Sequence, residues 1–121
     1  MLNVGVNQVS AALKATYGDF QTSPAVRNLM ESAMKEVIRI AKAEGIQLSE
    51  DDIEKGYQVL SGLSPSGKTS MLQDVEAGRK TEVEMFAGKV LELGRKHTIP
   101  TPVNEMLFKT IREIERHGDK R

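Results

Sequence analysis

The chain has 121 residues, enough for one domain with a real core. Its 17 basic and 17 acidic side chains cancel, which argues against a nucleic-acid binder, since those carry a clustered basic excess. The absence of cysteine excludes disulfides, thiolate nucleophiles and Cys-ligated zinc. No apolar run approaches membrane-spanning length and no signal peptide opens the chain, so a cytoplasmic protein without membrane contact is expected. With three Phe, two Tyr and no Trp, the core must rely on aliphatics and six Met, a composition suited to helix-on-helix packing.

Leu2 to Tyr17 is helical in length, but its face carries Asn3, Asn7, Gln8 and Ser10 among small residues. Asn3 and Asn7 are four apart and point the same way on a helix. Two readings stand: a solvated polar face, or a pair of amides aimed at a polar ligand. Ser23-Pro24 is a strong helix start, with serine as N-cap and proline at the first helical position. Val26, Leu29, Met30, Ala33, Met34, Val37 and Ala41 then recur at three- and four-residue steps, and Gly45 follows a good stop. Ser49-Glu-Asp-Asp52 opens the next helix with acids near its positive end, and Ile53, Tyr57 and Leu60 face one way.

Ser61 to Thr69 reads as a loop. Thr81-Glu-Val-Glu84 has capping-box spacing, and Val83, Phe86, Ala87, Val90 and Leu91 continue as an amphipathic helix. Thr101-Pro102 starts the last helix, with Val103, Leu107, Ile111 and Ile114 inward. Nothing alternates with period two. The expectation is an all-α domain of five or six helices over residues 1–117, with a polar tail at 118–121.

Gly62-Leu-Ser-Pro-Ser-Gly67-Lys68-Thr69 matches the Walker A pattern residue for residue. A phosphate-cradling loop needs a buried strand before it and a sheet around it, whereas Ile53 to Leu60 has helical spacing. A helix–loop–helix connection that uses glycine and proline for turning explains the same letters.

One run carries a family resemblance: Ser70-Met-Leu-Gln-Asp-Val-Glu-Ala-Gly-Arg-Lys-Thr-Glu-Val-Glu84, followed by His97-Thr-Ile-Pro-Thr-Pro-Val-Asn104. Together with Asn3-Val-Gly-Val-Asn-Gln-Val-Ser10, it resembles the helical C-terminal domain of ketopantoate reductase (2-dehydropantoate 2-reductase), a fold shared with 6-phosphogluconate-type dehydrogenases. The resemblance implies hydride transfer from NADPH to a 2-keto acid, in a cleft between this domain and an N-terminal dinucleotide-binding domain. It implies substrate-binding roles for Asn3, Asn7 and Ser70, and a cofactor-facing role for Glu82. The Ile99–Asn104 turn is a further hallmark with a structural role. The family's catalytic lysine would fall two places before Met1, and the NADP-binding Rossmann domain is likewise expected outside these residues, so the chain is expected to be inactive alone. At Tyr17 some members place another substrate-binding asparagine.

Each residue also has a plainer reading. Ser70 would N-cap a short helix, Met71–Ala77, and Glu82 would be a first-turn acid. Lys68, Arg79 and Lys80 would form a positive lip or lie as scattered solvated charges. His97 and His117 sit near helix ends, where a cation is favoured. With the two some twenty residues apart and no clustered acids, no metal site is expected. The expected partners are the dinucleotide-binding domain, the keto acid and a second copy in a homodimer; the competing function is a stand-alone helical dimerisation or interaction module.

Overall fold

The computed structural model describes residues 2–118, the side chains at 2–4, 84, 86 and 117 excepted. They form seven helices and no strand: α1 (Leu2–Leu13), α2 (Tyr17–Thr22), α3 (Pro24–Ala43), α4 (Glu50–Ser61), α5 (Ser70–Glu76), α6 (Val83–Lys96) and α7 (Pro102–Gly118). The all-α expectation holds, with more helices than the five or six read from periodicity. The extra one arises because the first segment is not continuous to Tyr17. Lys14 takes φ 55°, and Ala15 N–H returns to Ser10 O at 3.0 Å, which ends α1 and turns the chain into α2. A lysine in the left-handed region carries no sequence signal, since glycine is the usual occupant. The tail expected at 118–121 begins inside α7 at Gly118 and otherwise lies outside the described residues.

Local capping chemistry sets most helix ends. Ser23 Oγ accepts from Val26 N–H at 3.4 Å with Pro24 at the first helical position. Ser49 forms a capping box with Asp52. At Gly45 (φ 77°) and Gly78 (φ 73°), Ile46 N–H reaches Ala41 O and Arg79 N–H reaches Asp74 O, both at 2.8 Å. These are six-to-one closures that satisfy carbonyls a helix end leaves open. Thr98 does the same for α6 at φ 56°, without glycine's freedom.

Helix α1 is the axis of the fold, with α3, α4, α5, α6 and α7 packed around it. One face puts Val6 and Val9 against Phe20, Met30, Met34, Ile53, Leu60 and Leu107. The other puts Ala11 against Met71, Val75, Val83, Ala87 and Ile111. Close approach of α1 to α3 depends on Gly5, where an added Cβ would lie 2.9 Å from Met34 Cγ and 3.3 Å from the Met30 carbonyl.

A buried polar strut ties this axis to α3 and α7. Gln8 and Asn104 are fully buried and Glu36 is 2% exposed. Gln8 Nε2 donates to Asn104 Oδ1 at 3.3 Å, and Asn104 Nδ2 donates to Ala33 O at 3.0 Å and Glu36 Oε1 at 2.7 Å. Glu36 also accepts the backbone N–H groups of Val103 (2.9 Å) and Asn104 (3.0 Å), two donors that the start of α7 leaves without helical partners. The Ile99–Asn104 turn therefore has a structural role. Gln8 and Ser10 depart from the solvated face allowed for them: Gln8 joins the strut, and Ser10 Oγ bonds Thr69 Oγ1.

Candidate functional site

The sequence-predicted residues converge at the side of α1 that meets α5 and the start of α6. Asn7 lies one turn before Ala11, on the face turned toward those helices. Ser70 opens α5, and Glu82 immediately precedes α6. Asn7, Ser70 and Glu82, joined by Met71 and Asp74, line one cleft of about 100 Å³. Asn3 stands four residues before Asn7 on α1, but its side chain lies outside the described residues.

Two local expectations are corrected. Ser70 is not the N-cap of its helix: Thr69 is, with its buried Oγ1 accepting from Leu72 N–H at 3.1 Å, so α5 starts one residue earlier and Ser70 stays exposed. The reason is that the Ser10–Thr69 bond pins Thr69 inward. Likewise Glu82 is itself the N-cap of α6 by backbone position and makes no capping bond. Thr81 Oγ1 accepts from Val83 N–H at 3.2 Å and donates to Glu115 Oε1 at 2.9 Å. The Glu84 half of the expected capping box lies outside the described residues, as do the side chains of Phe86 and His117.

A division of labour among polar groups marks the cleft. Gln8, Ser10, Thr69 and Asn104 are bonded inside the fold. The side chains of Asn7, Ser70 and Glu82 have no partner among the described residues, although all three border the same small space. An amide, a hydroxyl and a carboxylate there offer both donors and acceptors. A cleft of about 100 Å³ has room for a few waters or for the polar groups of a small molecule.

The lysines proposed for a positive lip go elsewhere. Lys68 Nζ pairs with Glu76 at 2.9 Å, and Lys80 lines a separate trough of about 650 Å³ beside α7. That trough is larger, and part of its charge is engaged within the fold: Arg116 faces Glu113 at 3.9 Å, and Glu115 accepts from Thr81 Oγ1 at 2.9 Å. Arg79 alone adjoins the cleft, its Nε 3.1 Å from Asp74 Oδ1. The Walker-like loop joins two helices, α4 and α5, and its Lys68 and Thr69 are both engaged within the fold.

The described residues contain no strand, and so no glycine-rich strand-to-helix turn. His97 caps α6 and contacts Glu44 Oε2 at 2.6 Å, where it ties the ends of α3 and α6 together. Among the described residues no group of three His, Asp or Glu stands close enough for a metal, and no helix is long and apolar enough to cross a membrane.

Asp74 was missed by sequence reasoning, and so were its pairing with Arg79 and the buried Glu36. The available signal for Asp74 was its spacing of four from Ser70 on a helix. For Glu36 there was none, because it sits among charged neighbours on a helix whose apolar stripe alone was legible.

Comparison with known proteins identifies the family. Residues 1–115 match the family described as "Ketopantoate reductase PanE/ApbA C terminal". The 2-dehydropantoate 2-reductase of Halobacterium salinarum is 36% identical over 118 residues, covering 98% of this chain and 39% of that protein. That of Aquifex aeolicus is 32% identical over 117 residues, covering 93% and 37%. The chain thus spans about two-fifths of the length of the curated relatives it matches. A dimeric ketopantoate reductase from Staphylococcus aureus superposes with a TM-score of 0.88 at 25% identity, covering 97% of this chain and 41% of that one. A D-mandelate dehydrogenase solved with NADH and anilino(oxo)acetate gives the same score at 19% identity over 98% and 39%, a likeness of fold alone.

Proposed function

Because the chain belongs to the family of ketopantoate reductase C-terminal domains, we propose that it forms the substrate-binding wall of an NADP-dependent 2-dehydropantoate 2-reductase. The observation that carries this reading is the convergence of Asn7, Ser70 and Glu82, all without intramolecular partners among the described residues, on one cleft. Asn7 Nδ2–H and the Ser70 hydroxyl donate to oxygens of a 2-keto acid; Asn3, one turn earlier on α1, is assigned the same task. Glu82, an exposed acceptor at the cleft's edge, is assigned to a hydroxyl of the cofactor. The hydride chemistry belongs to a nicotinamide held by a dinucleotide-binding domain, the partner this wall would face. The present residues bind and orient, and alone they are expected to turn over nothing.

The test is a titration of the chain with ketopantoate, followed by nuclear magnetic resonance of the Asn7 side-chain amide. Binding should shift that signal, and Ser70→Ala should weaken binding about tenfold, the worth of one good hydrogen bond. Shifts confined to the trough beside α7 would sink the assignment. Oxidation of NADPH by the pure chain in the presence of ketopantoate would refute its inactivity.

A homodimer is the assembly we assign, supported by the exposed Ile46, Val59, Met85 and Met106 side chains and by the dimeric S. aureus relative. Light scattering at rising concentration tests it, and a persistent monomer would count against both the dimer and an interaction-module role.

A further inference from the structure

Asp74 lines the cleft, and the assignments above leave it without a task. It lies one turn after Ser70 on α5, so the two side chains share a face about 5–6 Å apart at Cβ. Its side chain is 28% exposed. Oδ1 is taken by Arg79 Nε at 3.1 Å, while the other oxygen has no partner among the described residues. The grip on Oδ1 is built into the backbone. Gly78 adopts φ 73°, Gly78 N–H bonds Val75 O at 3.1 Å and Arg79 N–H bonds Asp74 O at 2.8 Å. This closure of α5 folds the chain back, so that the guanidinium meets the carboxylate five residues earlier.

The chemistry of the lining then selects the ligand. Asn7 and Ser70 can donate, whereas an ionised Asp74 only accepts. A keto oxygen placed against Asp74 would meet another acceptor, and a carboxylate would meet a like charge as well. The group that fits there carries a donor, and a hydroxyl at the far end of a short keto acid spans the distance from Ser70 to Asp74. We propose that Asp74, braced by Arg79, is a specificity residue of this cleft: its free oxygen accepts a hydrogen bond from the terminal hydroxyl of a hydroxylated 2-keto acid, and keto acids lacking that hydroxyl are discriminated against. Arg79 is a positioning residue that fixes the carboxylate without touching the ligand. This inference rests on the keto acid reading above and adds what end of the molecule lies where.

The test compares ketopantoate with trimethylpyruvate, the same molecule without the hydroxyl, by amide-resolved titration of the 121-residue chain. The chain should bind ketopantoate at least about tenfold more tightly, the usual worth of a hydrogen bond to a charged group. Asp74→Ala should bring the ratio near one by weakening ketopantoate alone, and Asp74→Asn, which keeps the shape, should leave an intermediate ratio. Arg79→Met should lower the ratio while leaving trimethylpyruvate binding unchanged, a readout that a merely structural role would not move. If both ligands shift Asn7 with equal affinity, or Asp74→Ala weakens both alike, the inference falls and the keto acid reading stands. If neither ligand shifts Asn7, the reading itself falls and takes the inference with it.

Discussion

Replacing Glu36 with alanine tests the account of the fold most directly. Glu36 is 2% exposed and accepts three hydrogen bonds at 2.7–3.0 Å, two from backbone N–H groups at the start of α7 and one from the Asn104 amide. Bonds to a charged group contribute about 1.5–3 kcal/mol each, but these three share one carboxylate and do not add in full. The favourable placement of a negative charge at a helix N-terminus is lost as well, a further contribution of up to about 2 kcal/mol when partly buried. Water entering the vacated space satisfies some of the orphaned donors. The net expectation for Glu36→Ala is about 3–4 kcal/mol, in the range for breaking a buried charged network. Glu36→Gln keeps the shape but sets an NH₂ group against one of those donors, and should lose about 1.5–2.5 kcal/mol.

Urea unfolding followed by circular dichroism measures both, with the slope m unchanged if the native fold is kept. Asn7→Ala is the control: a half-buried side chain without a partner among the described residues should change stability by less than about 0.5 kcal/mol. A loss under about 1 kcal/mol for Glu36→Ala would refute the reasoning, because it would mean that α7 does not depend on Glu36 for its first donors.

Two further outcomes follow from the helix ends. Thr98 is a β-branched residue at φ 56°, so Thr98→Gly removes about 1–2 kcal/mol of backbone strain against about 0.5–1 kcal/mol of glycine entropy, and thermal unfolding should move up by a few degrees; an unchanged or lower midpoint would show the turn to be unstrained. The Glu44 carboxyl is held below its ordinary 4.5, first by the hydrogen bond to His97 and then by Lys96. A depressed carboxylate adds stability above its unfolded value, and that contribution is lost as pH falls through the folded one. Glu44→Gln should therefore be less stable than the parent above about pH 5, with the gap closing below the ordinary 4.5; parallel stability curves down to pH 3 would contradict it.

What could be read from the sequence was what depends on near neighbours. Ser23-Pro24, Ser49-x-x-Asp52 and Gly45 act within one turn of themselves, and each structural role follows from residue type alone. The α1–α2 break did not show, because Lys14 takes a conformation that its side chain disfavours. The burial of Gln8 and Ser10 was equally hidden, since their partners lie 96 and 59 residues away. Ser70 and Glu82 came forward through a family resemblance, whereas the spacing of Asn3 and Asn7 had left open either a solvated face or a pair of amides aimed at a ligand. Asp74 was legible only as a helical neighbour of Ser70, and nothing before the structure tied Arg79 to it.

The bare backbone at Gly5 gives α1 a second kind of importance. With no side chain there, the height of Asn7 above α5 is gauged by how closely the backbone of α1 rests on Met30 and Met34. Methionine is pliable and refills space easily, so a change at either position can slide α1 along or away from α3 without unfolding anything. If the cleft takes the keto acid proposed above, its preference would depend also on residues that no ligand meets, and variants that differ in affinity would not have to differ anywhere in the cleft.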